Sequence, residues 1–188
     1  KDWEIECENR SSIVTILAIH GGGIEPATTE LAYTIAHCGD YNYFSFKGMR
    51  SKGNNELHVT STHYDDQIAL NLVRGSQRTV AIHGCEGNES VAYIGGSDDR
   101  LIELITESLE DIGISVREAP HHISGTQENN IVNMTQTQGG VQLELTAQLR
   151  KELFKNRKSS RNNRENKDNW DDLMYDFADA MKKAIERA

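Results

Sequence analysis

Apolar residues occur along the chain in short blocks that are separated by polar, glycine-containing segments. The first block, residues 13–19, is apolar at every position except Thr15. A nearly continuous apolar run of this length predicts a strand that is buried on both faces, as in a parallel or mixed sheet covered by helices. Shorter blocks of the same kind predict further strands at 41–46, 57–62, 79–84, 91–94, 114–117 and 141–145.

Other segments carry apolar residues at helical spacing. Pro26 suits a first helical turn, and Leu31 and Ile35 then follow at an interval of four residues. The segment 98–111 is strongly amphipathic and ends before Gly113, which favours a helix with a glycine cap. Two further helices are predicted at 65–73 and 171–187.

The alternation of strands and helices predicts a single α/β domain with three layers. We expect a mixed, mostly parallel sheet with helices on both faces. The polar segment 156–169 has few apolar residues and is expected to form an exposed surface loop, followed by a closing C-terminal helix at about 171–187. The whole chain, 1–188, is therefore expected to form one domain.

Composition and charge exclude several classes of partner. The formal net charge of −9 argues against a nucleic-acid partner, because phosphate binding needs a basic surface. No segment approaches the roughly 20 apolar residues of a membrane helix. The three cysteines show no CxxC spacing and so indicate neither a disulfide framework nor a cysteine metal site. We expect a monomer that binds neither nucleic acid nor membranes.

Two histidines stand where chemistry is expected in an α/β sheet. His20 and His83 each end a predicted buried strand and precede a glycine, and binding crevices lie beyond such carboxyl ends. Glu25 follows three glycines, which allow the backbone to turn tightly and return the carboxylate to His20. Two imidazoles and one carboxylate form a known ligand set for catalytic zinc. The alternative is structural: a histidine hydrogen-bonded at a strand end and a glutamate favoured by the helix dipole.

A zinc hydrolase also needs a general base. In the strand 141–145, Glu144 shares one face with Gln142, while Val141 and Leu143 share the other. Its position near the strand end makes Glu144 the candidate base at the same crevice. The alternative is a half-exposed strand on which Glu144 is only solvated.

Other reactive side chains give weaker signals. Cys85 is disfavoured as a nucleophile because His83, two residues away on the same strand, cannot readily act as its base. His121 and His122 follow a proline in a loop and are expected at the surface. His63 is either a group that contacts substrate or a hydrogen-bonded buried histidine.

Four segments in order, "IHGGGIEPATTEL", "LHVTSTHYDD", "VAIHG" and "NIVNMTQTQGGVQLEL", closely resemble the bacteriophage-type poly-gamma-glutamate hydrolases. The resemblance covers about residues 13–150. It implies a fold similar to that of the zinc carboxypeptidases and the hydrolysis of gamma-glutamyl amide bonds at a His-Glu-His zinc site. It also implies that the substrate is an extracellular polymer, which the enzyme reaches after lysis or secretion.

The resemblance assigns a role to individual residues of this chain. It implies that His20, Glu25 and His83 hold one zinc ion per chain and that Glu144 is the general acid and base. Asn130 and Asn133 match the family motif and are candidates either to hydrogen-bond substrate or to shape the turn. His63 is a further candidate for substrate binding.

This chain departs from the family pattern in its basic residues. Met134 stands where the pattern has a basic side chain. If that side chain holds either a substrate carboxylate or the oxyanion in the family, recognition must differ here. The loop that carries Lys47, Arg50 and Lys52 is either a replacement source of positive charge or a solvated loop. Because the protein is acidic, productive binding of a polyanion requires some local basic region.

Two alternatives to the hydrolase hypothesis are open. One is a zinc amidase that acts on another gamma-glutamyl or acyl-amino-acid substrate. The other is a catalytically silent module that binds an anionic polymer. The presence of Glu144 beside a complete ligand set disfavours a pure binder, which needs no base.

Overall fold

The centre of the protein is a mixed sheet of seven strands in the order β1-β3-β2-β4-β7-β5-β6. The computed structural model describes residues 1–188. The strands β2, β3, β4 and β7 run parallel to one another, whereas β1 pairs antiparallel with β3 and β5 pairs antiparallel with β7. The strands are β1 Trp3–Glu8, β2 Val14–Gly22, β3 Asn42–Gly48, β4 Arg78–Cys85, β5 Val91–Gly96, β6 Ser115–Glu118 and β7 Val141–Thr146.

Helices cover both faces of this sheet, which confirms the predicted α/β fold class. Along β2, Ile16 and Ala18 face a large core beneath α1, α3 and α6, whereas Leu17 and Ile19 face a smaller core beneath α2. This division follows from the alternation of side chains along a strand. The helices are α1 Thr28–Gly39, α2 Gln67–Arg74, α3 Asp99–Asp111, α4 Ala147–Glu152, α5 Arg161–Glu165 and α6 Asp172–Arg187.

Aspartate side chains begin three of the helices. Asp66 accepts hydrogen bonds at the start of α2, Asp98 at the start of α3 and Asp171 at the start of α6. Each satisfies a backbone N–H that has no partner within the helix. The capping aspartates therefore fix where these helices start. None of the helices has the length and apolar character needed to span a lipid bilayer.

The structure differs from the sequence expectations in four segments. The predicted strand at 57–62 is wrong: Asn54–Leu57 forms a short 3₁₀ helix and the chain then crosses the sheet edge without strand pairing. The edge strand β1 and the short helix α4 were not predicted. The polar segment 156–169 contains α5, in which Arg164 is buried and pairs with Glu30 at 3.3 Å.

The burial of α6 in the core can be tested by substitutions on that helix. Phe177 on α6 is fully buried, so replacing it with alanine should lower the free energy of unfolding by about 3–5 kcal/mol. Tyr175 lies on the same helix but is 46% exposed, and Tyr175→Ala should cost less than about 1 kcal/mol. Urea unfolding of both variants measures the difference. Equal losses would contradict the burial of Phe177 in the core.

Candidate metal centre

The turn after β2 brings Glu25 back to His20. Gly22 has φ +61°, and a Cβ on Gly21 would lie 2.0 Å from Thr29 Oγ1, so both positions require glycine. The turn closes with the Glu25 N–H donating to the His20 carbonyl at 2.8 Å. The glycine run therefore places the carboxylate beside the imidazole five residues before it.

His83 meets these two side chains from the neighbouring strand. Because β2 and β4 are parallel and adjacent, their carboxyl ends lie at the same edge of the sheet. His20 Nδ1 lies 3.0 Å from His83 Nδ1, and Glu25 Oε1 lies 3.2 Å from the first nitrogen and 3.4 Å from the second. The three atoms form a compact triangle at the end of two buried strands.

This triangle suits a small divalent cation. Zinc bonds of about 2.0–2.2 Å in tetrahedral geometry separate neighbouring ligand atoms by roughly 3.3 Å. His20 Nε2 lies 2.7 Å from the Val59 carbonyl, which places the proton on Nε2 and leaves the Nδ1 lone pair facing the triangle. The donor set of two imidazole nitrogens and one carboxylate oxygen thus fits zinc in both type and spacing.

Electrostatics keep the Glu25 carboxylate charged. Burial alone would raise the pKa of Glu25, but its contacts with the His20 and His83 imidazoles outweigh burial and hold the pKa well below its usual range. The Gly84 N–H donates to Glu25 Oε1 at 3.1 Å and fixes its orientation. Glu25 therefore supplies a negatively charged ligand atom, as a cation site requires.

Glu144 lies beside the triangle and is not part of it. It is the direct neighbour of His83 in the parallel pairing of β4 and β7 and is only 7% exposed. Burial, with the charge of Glu25 adding to it, raises the pKa of Glu144 to about 8. A buried carboxyl group with a pKa near neutrality can both accept and return a proton.

These four residues line one cavity of about 350 Å³. Its other walls are mainly hydroxyl, amide and imidazole side chains, and no lysine or arginine is among them. A second cavity, of about 450 Å³, adjoins it and shares Glu25, His58, Gly84 and Cys85. The candidate metal centre thus lies where two openings meet.

The two predicted asparagines have different surroundings. Asn130 lines the metal cavity and donates to Gln142 Oε1 at 3.0 Å, and Gln142 Nε2 in turn lies 3.5 Å from Glu144 Oε1. Asn133 lies outside that cavity, where its Nδ2 donates to the Gly125 carbonyl at 2.7 Å and its Oδ1 accepts from the Gly140 N–H. The contacts of Asn133 therefore shape the loop.

Apart from His20 and His83, the histidines that line the cavity are not the one that the sequence analysis named as a substrate contact. His63 is exposed and does not line the cavity, because the turn closed by its N–H and the Thr60 carbonyl carries it to the surface. His58 lines the cavity instead, with its ring stacked on His20 at 3.7 Å between centroids. His122, which was expected at the surface, also reaches the cavity while remaining exposed.

The basic loop does not supply charge to the metal cavity. Lys47 pairs with Glu4 at 2.9 Å and Glu6 at 2.7 Å, and Arg50 pairs with two other carboxylates. None of the three basic residues of the loop lines the cavity. Met134, at the position where the family pattern has a basic residue, lies outside the cavity as well.

Cys85 lines the cavity as a protonated thiol. Burial, together with the charge of Glu144, raises the pKa of Cys85 to about 11. A thiol with this pKa is not ionised at neutral pH and is a weak nucleophile. The structure therefore gives Cys85 no role as a nucleophile.

Comparison with known proteins agrees with the fold. YoqZ, an SPbeta prophage-derived UPF0714 protein of Bacillus subtilis (strain 168), is 35% identical over 92% of this chain, which spans 61% of YoqZ. A solved bacteriophage poly-gamma-glutamate hydrolase superposes with a TM-score of 0.94 and 32% identity, covering 99% of this chain and 89% of that one. The zinc-free apo structure of YndL, another UPF0714 protein of Bacillus subtilis (strain 168), superposes with a TM-score of 0.88 and 30% identity, covering 98% and 90%.

The family model for poly-gamma-glutamate hydrolase matches residues 1–180, which is nearly the whole chain. The matched range contains both histidines, Glu25 and Glu144. The chain belongs to the poly-gamma-glutamate hydrolase family.

Proposed function

We propose that this protein is a zinc-dependent hydrolase that cleaves the gamma-glutamyl amide bonds of poly-gamma-glutamate. The observation that carries the proposal is the triangle of His20, His83 and Glu25 ligand atoms, which shares one cavity with the buried Glu144. Family membership supports the substrate class. The zinc-free form in which YndL was solved supports zinc as the metal.

His20, Glu25 and His83 would hold one zinc ion per chain. When bound, zinc polarises a carbonyl group and lowers the pKa of water, which are the two effects that amide hydrolysis needs. The hydrogen bond between His20 and the Val59 carbonyl and the one from the Gly84 N–H to Glu25 hold these two ligands in orientation even without the metal.

Glu144 then moves the proton. It accepts a proton from the attacking water as the water oxygen bonds to the scissile carbonyl carbon. It returns that proton to the amide nitrogen as the carbon–nitrogen bond breaks, so that the products are a carboxylic acid and an amine. Gln142, held by Asn130, limits the positions open to the Glu144 carboxyl group.

The geometry of the site argues against one alternative function, and family membership argues against the other. A module that only binds an anionic polymer gains nothing from the buried Glu144, because a carboxyl group there supplies no positive charge. A zinc amidase with another substrate would use an identical centre. Family membership favours poly-gamma-glutamate between these two substrates.

The ligand assignment predicts the metal content. Wild-type protein should contain about one zinc per chain, and His83→Ala should lose most of it because only two ligands remain. Plasma mass spectrometry after dialysis measures the ratio of zinc to protein. His37→Ala, at an exposed position on α1, is the control and should keep its zinc. Full zinc occupancy in His83→Ala would rule out the assignment.

The role of Glu144 predicts a separation of metal binding from catalysis. Glu144→Gln should keep its zinc but lose at least about a hundredfold in rate, because an amide cannot accept and return a proton. The rate is measured as the shortening of poly-gamma-glutamate by size-exclusion chromatography. Glu110→Gln, on the exposed face of α3, should retain wild-type rates. Normal turnover by Glu144→Gln would show that another group is the base.

A further inference from the structure

Arg150, in α4 just after β7, is fixed by the main chain of the candidate metal centre. Its Nε donates to the Leu145 carbonyl at 3.1 Å, its Nη1 to the Pro26 carbonyl at 3.0 Å and its Nη2 to the Cys85 carbonyl at 3.0 Å. These carbonyls belong to the segments that also carry Glu144, Glu25 and His83. The guanidinium is therefore held rigidly relative to the site.

The positive charge of Arg150 has no carboxylate partner. Its side chain is partly buried, yet none of the ion pairs within 4.0 Å in the structure includes it. Each of the other arginines that is at least partly buried pairs with a carboxylate; these are Arg10, Arg50, Arg78 and Arg164. Three of the five N–H groups of the guanidinium donate to the main chain, which leaves one N–H on each terminal nitrogen.

This unpaired guanidinium faces the cleft beside the metal centre. Arg150 lines the second cavity and is the one lysine or arginine among the residues that line either cavity. It packs directly on Gly84, where a Cβ would lie 2.7 Å from Arg150 Cζ, and the Gly84 N–H donates to Glu25. Glu86 lies at the exposed rim of the same cavity and forms no ion pair with Arg150.

We propose that Arg150 binds the α-carboxylate of a γ-linked glutamate residue next to the scissile bond, on the side of the second cavity. The inference rests on the proposed function and assigns its specificity-determining residue. Two N–H groups on neighbouring nitrogens match the two oxygens of a carboxylate. In poly-gamma-glutamate every internal residue carries such a group, whereas a neutral polyamide does not. Arg150 thus supplies the local positive charge that an acidic protein needs for a polyanionic substrate.

A cycle of variants and substrates tests this inference. The substrates are a γ-linked glutamate pentamer and versions in which one α-carboxylate at a time is replaced by a carboxamide. For the wild type, kcat/KM should fall about 10- to 100-fold when the carboxamide occupies one particular position, as expected for loss of a hydrogen bond to a charged group. Arg150→Gln should cleave that pentamer and the unmodified one at equal rates. Arg78→Gln, the same change at the opposite end of β4, should keep the wild-type ratio.

The ratio of kcat/KM for the unmodified pentamer to kcat/KM for the sensitive carboxamide pentamer separates recognition from a structural role. If Arg150→Gln lowers both rates but keeps the wild-type ratio, Arg150 only holds the three carbonyls and the inference is overturned. If Arg150→Gln fails to fold by circular dichroism, Arg150→Lys takes its place. Lysine keeps the positive charge but lacks the planar guanidinium that can bind a carboxylate through two N–H groups. The ratio for Arg150→Lys should therefore fall between the wild-type ratio and one. A wild-type ratio in Arg150→Lys would overturn the inference. A wild type that cleaves none of the pentamers would overturn the proposed function and this inference with it.

Discussion

The nitrogens His20 Nδ1 and His83 Nδ1 lie 3.0 Å apart beside the carboxylate of Glu25, and the rest of the site is organised around this close approach. Lone pairs that converge in a buried position repel one another unless a positive charge lies among them. The fold maintains the approach through two adjacent parallel strands and a glycine turn. Hydrogen bonds from His20 to Val59 and from Gly84 to Glu25 hold the donors in orientation.

The two glutamates of the cavity are held in opposite states. Contacts with both imidazoles keep Glu25 ionised, whereas burial and the charge of Glu25 raise the pKa of Glu144 to about 8. Two carboxyl groups with separated pKa values suit a ligand and a proton carrier in one site. Arg150 lies on the other side of Glu25 with an uncompensated positive charge. Along the cleft, the structure therefore provides a candidate proton carrier, a candidate cation site and a candidate site for an anionic group.

Much of the fold could be predicted because the central strands are continuous apolar runs. The strands β2, β4 and β7 were predicted close to their observed bounds, and the rule that parallel strands end at one edge placed His20, His83 and Glu144 together. The edge strand β1 was missed although its sequence, WEIECE, alternates as a half-exposed strand does. The alternating segment is short, and only one face of the strand packs against the core.

The remaining site residues depend on contacts between distant parts of the chain. His58 reaches His20 because an irregular segment crosses the sheet edge, and such a segment has no periodic pattern to read. Arg150 contacts the Pro26 carbonyl, 124 residues away in sequence. Outside the site, Arg164 is buried within a polar segment, where it pairs with Glu30 on α1. Local sequence carries no signal for these three placements.

The claim that these residues form a zinc centre is tested most directly by X-ray absorption spectroscopy at the zinc edge of the purified wild-type protein. The account predicts two imidazole nitrogens and light oxygen ligands at about 2.0–2.2 Å, with no sulfur. A shell that contains sulfur at about 2.3 Å would mean that Cys85 binds the metal. A shell of oxygen atoms without imidazole would mean that the triangle of His20, Glu25 and His83 is not a metal centre.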